Sequence, residues 1–259
     1  MTRRTDIDGS FHDYYDRLRL ACDPQVRHQA ALTAEPSPKY RDGQPLKYPG
    51  ITLLTPPDSQ EPVHDTCYTQ LTMSQSRICD AYSDSLSPTN AASFHITGAD
   101  LFSGSQYRDL KAGRPDLDRY IADILMGLDW TSRTRQSPKP NWRFHGLAVF
   151  KHAVVALFAP AGRQSYADLT ALRDEIYTAP RLARLGLKRP LPLMVHLTLA
   201  YFRAPISKAR VDHFNRLFAE ESNRLFAAGI EHPISTLALT RFEQMGAFFE
   251  TGAAMRFQF

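Results

Sequence analysis

Two His-x-Thr tripeptides contain the residues of this chain whose types and spacing could do chemistry together. They are Phe94-His95-Ile96-Thr97 and Val195-His196-Leu197-Thr198, with the two histidines 101 residues apart in runs typical of β-strands. Side chains alternate along a strand, so His and Thr at positions i and i+2 share one face. Ile96 and Leu197 then point to the opposite side. Each motif therefore predicts a reactive strand face backed by an apolar one.

Paired imidazoles and hydroxyls suit displacement at a phosphorus atom. That reaction needs a base for the attacking oxygen, an acid for the departing oxygen, and donors to the charge on the non-bridging oxygens. Histidine has an unperturbed pKa of about 6.5, so one imidazole can be neutral while another is protonated. We predict that His95 and His196 are the acid–base pair, in either order, and that Thr97 and Thr198 orient and stabilise the phosphate. This chemistry requires no metal and no cofactor.

The elements predicted around the motifs follow a similar order in both halves of the chain. In the first half we predict strands at 50–55 and 93–97 and helices at 66–85 and 107–128. In the second half we predict a hairpin at 144–150 and 153–158, helices at 166–178 and 207–228, and strands at 193–202, 234–239 and 247–249. Corresponding helices begin 100 residues apart, at 66 and 166 and at 107 and 207. This spacing indicates a duplication.

The duplication and the element types together predict the fold class. We expect an α+β protein of two similar lobes, in which duplicated strand–helix units place antiparallel sheets on either side of a central groove. Residues 1–45 combine a short amphipathic stretch with a turn-rich run, and we interpret them as an N-terminal extension that wraps the core. Residues 46–259 would form the catalytic domain.

The paired motifs, their spacing and the duplicated order resemble the 2H phosphoesterase superfamily, which includes LigT-like RNA ligases and cyclic phosphodiesterases. The resemblance covers residues 46–259. It implies a bilobal α+β fold whose two His-x-Thr motifs line a central groove, and cleavage of cyclic or 2′–5′ phosphodiesters without a metal. Residue by residue it extends only to His95, Thr97, His196 and Thr198. The first motif departs from the family because Gly98-Ala99-Asp100 follows it, whereas the second continues with apolar residues.

We therefore predict a metal-independent phosphoesterase that acts on a cyclic phosphate, an RNA end or a 2′–5′ phosphodiester, in RNA processing or a related reaction. One alternative is a module that binds a nucleotide or RNA end without turnover, although binding alone needs no acid–base pair. Another is a structural protein whose halves merely pack. A separation of more than about 10 Å between the two histidines, too far to reach one phosphate, would support that alternative.

Composition and charge favour a globular protein with an anionic partner. The chain has 259 residues, of which 43% are hydrophobic and 22% charged, a balance typical of folded domains. A formal charge of +4 favours phosphate-bearing partners over cationic ones. Two basic loops would steer a nucleic-acid backbone if they flank the groove, although solvated charge is their default interpretation. Their members are Arg133, Arg135, Lys139 and Arg143, and Arg181, Arg184, Lys188 and Arg189.

The remaining sequence signals concern location and thiol chemistry. Three cysteines form no CxxC pair and leave an odd thiol, so we expect neither disulfides nor a zinc knuckle. No stretch approaches the roughly 20 apolar residues that a bilayer requires, and residues 1–8 lack the apolar core of a secretory signal. We expect a cytoplasmic monomer with no membrane association.

Aromatic residues near the motifs are predicted to belong to the core. Strand alternation places Tyr201 on the face opposite His196 and Thr198, so we expect no stacking role for it. Phe94, Phe102 and Phe202 are expected to be buried for the same reason that aromatic residues favour strands of a layered fold.

Overall fold

The computed structural model of the chain describes residues 7–41, 43–56, 64–129, 139–188, 190–251 and 255–259. Within them the chain has an α+β fold with antiparallel sheets, which confirms the predicted class. The helices are α1 (Phe11–Cys22), α2 (Pro24–Leu32), α3 (Asp65–Ala81), α4 (Gly104–Gly113), α5 (Leu117–Met126), α6 (Arg163–Thr178), α7 (Pro180–Arg184) and α8 (Val211–Ala227). The strands are β1 (Tyr40–Arg41), β2 (Gln44–Pro45), β3 (Gly50–Leu54), β4 (Leu86–Pro88), β5 (Thr97–Ser103), β6 (Asn141–Phe150), β7 (Ala153–Pro160), β8 (His196–Phe202), β9 (Glu231–Pro233), β10 (Thr236–Gln244), β11 (Ala247–Glu250) and β12 (Arg256–Gln258).

Two five-stranded antiparallel sheets carry the two motifs. The first sheet has the order β11-β10-β3-β5, and β12 also pairs with β10. The second has the order β4-β8-β7-β6-β9. β5, which begins with Thr97, is an edge strand, whereas β8, which begins with His196, lies inside its sheet. Each sheet therefore contributes one motif to the site described below.

The second sheet forms around a hairpin that the sequence predicts correctly. β6 and β7 pair from Trp142 opposite Pro160 to Phe150 opposite Ala153, and Lys151 and His152 make the turn. Every residue of β7 is buried. A strand covered on both faces reads as a continuous apolar run, as this one does.

Amphipathic helices cover the second sheet. α8 packs against β6 and buries Val211, Phe214, Phe218 and Leu225, the apolar stripe that the sequence predicts. Burying each such side chain contributes on the order of 1.5–3 kcal/mol. Packed helices therefore support the sheet that holds His196.

The segment predicted as an N-terminal extension forms two helices, α1 and α2, before its turn-rich run. The Ser10 side chain caps α1 in a capping box, and Asp23 caps α2 immediately before Pro24. α1 contacts β6 and β7, and the hydroxyl of buried Tyr14 donates to the carbonyl oxygen of Phe158 at 2.6 Å. These helices belong to the same hydrophobic core as the sheets.

Two predicted elements differ from the structure. The helix predicted at 107–128 is two helices, α4 and α5, because Pro115 cannot continue the hydrogen-bond ladder of α4. The strand predicted at 93–97 begins only at Thr97, after a 3₁₀ turn over Ala91–Ser93. His95 therefore precedes its strand instead of lying within it.

The length and hydropathy of the helices bear on membrane association. In the residues given above, none of them is both long and apolar enough to cross a bilayer. No disulfide joins Cys22, Cys67 and Cys79, which all lie in those ranges.

Candidate active site

Residues from both sheets line one cavity of about 140 Å³, which we call the motif pocket. His95, Thr97, His196 and Thr198 all lie in its wall, so the structure brings the four predicted residues together. Ile96 and Leu197, between them, are fully buried in the core. The other lining residues are Lys39, Thr52, Thr89, Ser93, Phe94, Asp100, Tyr201, Phe242, Met245, Gly246 and Phe248.

The backbone holds the two imidazoles in the same way. Nδ1 of His95 lies 2.7 Å from the carbonyl oxygen of Ser93, and Nδ1 of His196 lies 2.7 Å from that of Met194. A carbonyl oxygen can only accept a hydrogen bond, so Nδ1 carries the proton in each ring. Nε2 is then the nitrogen left to exchange a proton with a ligand.

An aromatic ring fixes the orientation of each imidazole. The ring of Phe248 meets His95 edge-on with centroids 4.6 Å apart, and the ring of Phe150 meets His196 with centroids 5.1 Å apart. Edge-on contacts of this kind are favourable for aromatic pairs. Each imidazole is thus held by a backbone carbonyl and by one phenylalanine.

Burial keeps both imidazoles neutral in the free protein. Desolvation lowers the pKa of His95 to about 4, aided by the positive charges of His196 and Lys39 and opposed by the Ser93 carbonyl and Asp100. Desolvation also lowers the pKa of His196, with Met194 and Asp100 acting in the opposite direction. An anionic ligand raises the pKa of a nearby imidazole. A bound phosphate would therefore favour protonation of one ring.

A β-bulge follows the threonine of each motif. The extra residue is Gly98 in β5 and Leu199 in β8. A bulge shifts the alternation of side chains by one position. Consequently the residue three positions after each threonine faces the motif pocket, and these residues are Asp100 and Tyr201.

The predicted orientation of Tyr201 is wrong because of the bulge at Leu199. Tyr201 lines the motif pocket with His196 and Thr198, and Tyr40 stacks on it with ring centroids 4.8 Å apart. Burial raises the pKa of the Tyr201 phenol, so its hydroxyl stays protonated. Phe102 and Phe202 are buried as predicted.

Gly98 accounts for the departure of the first motif from an apolar continuation. A Cβ atom at this position would lie 2.4 Å from Cδ1 of Leu237, so the buried Leu237 side chain would have to move. Nη1 of Arg173 donates to the Gly98 carbonyl oxygen at 2.9 Å. The glycine lets β5 bulge in its pairing with β3 while the side chain of Leu237 packs against it, and the bulge delivers Asp100 to the motif pocket.

Lys39 is a functional candidate that sequence reasoning missed. It is the one cation other than histidine in the wall of the motif pocket, as far as the described residues go. Its Nζ lies 5.3 Å from the ring centroid of Tyr48 and 6.0 Å from that of Tyr201. It belongs to the predicted N-terminal extension and to no motif, so nothing in the sequence distinguishes it from the other basic residues.

The described members of the basic loops do not line the motif pocket. Arg133, Arg135 and Arg189 lie outside the described residues. Nε of Arg143 forms an ion pair with Glu231 at 2.9 Å, and the guanidinium of Arg181 lies over the ring of Tyr120. Lys139 and Arg184 are exposed, and Lys188 lines a neighbouring groove.

Two further histidines form a buried pair away from the motif pocket. The rings of His64 and His232 stack with centroids 3.9 Å apart, and both residues are fully buried. The hydroxyl of Tyr68 lies 3.2 Å from Nε2 of His232. Desolvation keeps the pKa of His232 well below its ordinary value, and the neighbouring His64 lowers it further.

The fold is similar to that of a solved structure of a protein of unknown function. This structure is a conserved protein from Agrobacterium tumefaciens str. C58, with a TM-score of 0.59 and 18% sequence identity over 84% of this chain and 92% of that chain. At this identity the likeness shows the fold alone. No family model and no curated protein matches the chain.

Proposed function

We propose that this chain is a two-histidine phosphoesterase related to the 2H superfamily, which hydrolyses a cyclic 2′,3′-phosphate or a similar phosphodiester. The observation that carries the proposal is the convergence of His95 and His196 on one pocket, each with Nδ1 bonded to the carbonyl two residues earlier. A histidine with a purely structural role would not need a second histidine held in the same way, nor an Nε2 left available for a ligand.

We also propose that the two motifs arose by duplication and that they belong to two LigT-like lobes on either side of the motif pocket. Three local features support it, because each occurs once per motif: the carbonyl contact, the phenylalanine against the imidazole, and the bulge after the threonine. The motifs differ three residues beyond the threonine, where one has Asp100 and the other Tyr201.

In the proposed reaction, water attacks the phosphorus of a cyclic phosphate. One neutral imidazole takes a proton from the water as the new P–O bond forms. The other imidazole, protonated, gives its proton to the ribose oxygen as the ring P–O bond breaks. The product is a phosphomonoester with one free ribose hydroxyl. The two histidines end in exchanged protonation states, and proton exchange with solvent restores them.

The remaining polar residues of the motif pocket stabilise charge. The hydroxyls of Thr97 and Thr198 and the ammonium of Lys39 are suited to donate to the non-bridging oxygens. Asp100 raises the pKa of both histidines, so it stabilises whichever ring is protonated. The site thereby supplies an acid, a base and anion donors from its own side chains.

The test is hydrolysis of adenosine 2′,3′-cyclic phosphate by the purified chain in excess chelator. We expect conversion to an adenosine monophosphate, followed by ³¹P NMR. His12→Ala is the matched control, since the side chain of His12 is 77% exposed and outside the motif pocket. Saturable binding without any product would identify a nucleotide-binding module instead. Loss of turnover in chelator with recovery on adding a divalent ion would contradict the metal-independent mechanism.

A further inference from the structure

We propose that a groove beside the motif pocket binds the organic part of the substrate and selects a nucleotide that carries a second phosphate. This proposal rests on the function proposed above and names the substrate class of the same site. The groove, which we call the side groove, lies along Lys188, residues 190–194 and the start of β5.

The side groove opens directly from the motif pocket. Thr97, Asp100 and His196 line both cavities. The side groove has a volume of about 790 Å³, compared with about 140 Å³ for the motif pocket. Small-molecule sites typically have volumes of about 300–1,000 Å³. A ligand with its phosphorus between the imidazoles therefore has room for a nucleoside on the His196 side.

One wall of the side groove is apolar and begins at the catalytic ring. Phe150 packs edge-on against His196 and also lines the side groove. Leu191, Pro192 and Met194 continue the wall, and Leu191 is 86% exposed. A lone exposed leucine is ordinary on a protein surface. Here it extends an apolar face toward solvent, which suits the flat face of a nucleobase.

The charge of the side groove is positive. Four of its lining residues are arginine or lysine, and Asp100 is its one carboxylate in the described part of the chain. Two of the four cations are neutralised, since Arg173 pairs with Asp8 at 2.9 Å and Lys151 pairs with Glu35 at 3.0 Å. The positive charges of the other two, Arg17 and Lys188, favour binding of an anionic ligand.

Lys188 is the available donor of the side groove, and Arg17 adds positive charge to the same groove. Nη2 of Arg17 donates to the carbonyl oxygens of Asp8 and Leu193, and its Nε is too deeply buried to meet a ligand directly. Lys188 is exposed, and no ion pair involves it within the described residues. An anionic group on the ligand would bind the Lys188 ammonium and be attracted by the charge of Arg17, which favours a phosphate at a distance from the reacting one.

The side groove thus combines a flat apolar wall with two available cations. A nucleoside with one phosphate at the histidines and another at its 5′ position has the matching chemistry. An alkyl phosphate matches the apolar wall but has no second anionic group to bind near Arg17 and Lys188. We therefore assign the side groove to a nucleotide with a 5′-phosphate.

The experiment compares equilibrium binding of adenosine 3′-phosphate and adenosine 3′,5′-bisphosphate to the full chain, with the 2′-isomers run in parallel. We expect the bisphosphate to bind about tenfold more tightly at low salt, the effect of one charge-assisted hydrogen bond. Lys188→Ala should reduce this ratio to about one, and Lys188→Glu should reverse the preference. Arg184→Ala is the matched control, because Arg184 is an exposed cation that does not line the side groove.

Equal binding of both nucleotides by the unmodified chain would overturn the proposal. So would an unchanged ratio in Lys188→Ala, or octyl phosphate binding as tightly as the bisphosphate. The binding measurement needs no turnover. A bisphosphate preference without hydrolysis of any cyclic phosphate would refute the proposed reaction and leave the side groove supported. Hydrolysis without the preference would refute the side groove alone.

Discussion

At the scale of single residues, the two imidazoles decide whether the site is catalytic. Replacing His95 or His196 by alanine should reduce turnover of a cyclic 2′,3′-phosphate by at least about 100-fold, the usual effect of losing a general acid or base. The double variant should be scarcely worse than either single one, because groups that act as a unit are not additive. Steady-state kinetics of the three folded variants test this. Near-normal turnover in either single variant would contradict the mechanism.

The acidic limb of the pH–rate profile should lie below the ordinary range of histidine. When His95 is the base, burial, which lowers its pKa to about 4, keeps it neutral in the free protein down to about that pH. On the acidic side kcat/KM should then fall only as the pH approaches 4, and on the alkaline side it should fall as the acid loses its proton. A bound phosphate raises the imidazole pKa, so the acidic limb of kcat should lie at higher pH than that of kcat/KM. An acidic limb of kcat/KM at pH 6.5 or above would contradict this expectation.

Lys39 should contribute to binding of the reacting phosphate. Lys39→Met removes a charged donor, whose hydrogen bonds are worth about 1.5–3 kcal/mol, so affinity should fall roughly 10- to 100-fold. Lys39→Arg should retain part of the affinity because it keeps the charge. Inhibition constants of inorganic phosphate report the effect. Lys208→Met is the control and should have no effect, because Lys208 is exposed and does not line the motif pocket.

At the scale of elements, the bulge in β5 depends on the absence of a side chain at Gly98. Gly98→Ala forces a methyl group to 2.4 Å from Leu237, so the free energy of unfolding should fall by about 1–3 kcal/mol. Gly113→Ala is the matched control, since its added methyl group meets no atom within 4 Å. Denaturant unfolding with a constant m-value measures both. Equal stability of Gly98→Ala and the parent would mean that β5 can rearrange freely.

Elements marked by a pattern in adjacent residues could be predicted from the sequence. Features that depend on contacts between residues far apart in the sequence could not. The β6–β7 hairpin follows from two adjacent apolar runs, and α8 follows from its stripe. The end of α4 before Pro115 and the start of α2 at Asp23 and Pro24 have signals in the sequence that our predictions did not use. By contrast, the bulge in β8 is held by Gln75, whose Nε2 donates to the Leu199 carbonyl oxygen at 2.6 Å across 124 positions of sequence.

The same distinction applies to the candidate site. The sequence pattern singles out His95, Thr97, His196 and Thr198, which the structure places in one pocket. Strand alternation alone misplaces Tyr201, because its orientation depends on the register between β7 and β8. Lys39 reaches the motif pocket through the packing of a segment with no motif of its own.

At the scale of the whole molecule, buried His232 should make the stability of the fold sensitive to acid. The folded-state pKa of His232 lies well below its unfolded value of about 6.5, so the unfolded chain binds more protons in acid. The stability due to the neutral ring is complete above pH 6.5 and is lost as the pH falls toward the folded pKa. His232→Asn should therefore flatten the dependence of unfolding free energy on pH below about pH 6.5.

The control for this effect is His12→Ala, which removes an exposed imidazole and should leave the slope unchanged. The readout is the slope and not the absolute stability, because the substitution also changes the contacts with His64 and Tyr68. An unchanged slope in His232→Asn would show that other groups control acid unfolding.

The order of strands in the first sheet has a consequence for biosynthesis. β3 pairs with β5 on one edge and with β10 on the other, yet β10 begins at Thr236. During translation β3 therefore has one unpaired edge until residues 236–244 have left the ribosome. Exposed edges invite pairing with other chains. Nascent chains arrested before residue 236 should consequently be digested by protease and recruit chaperones, whereas the released protein should resist both.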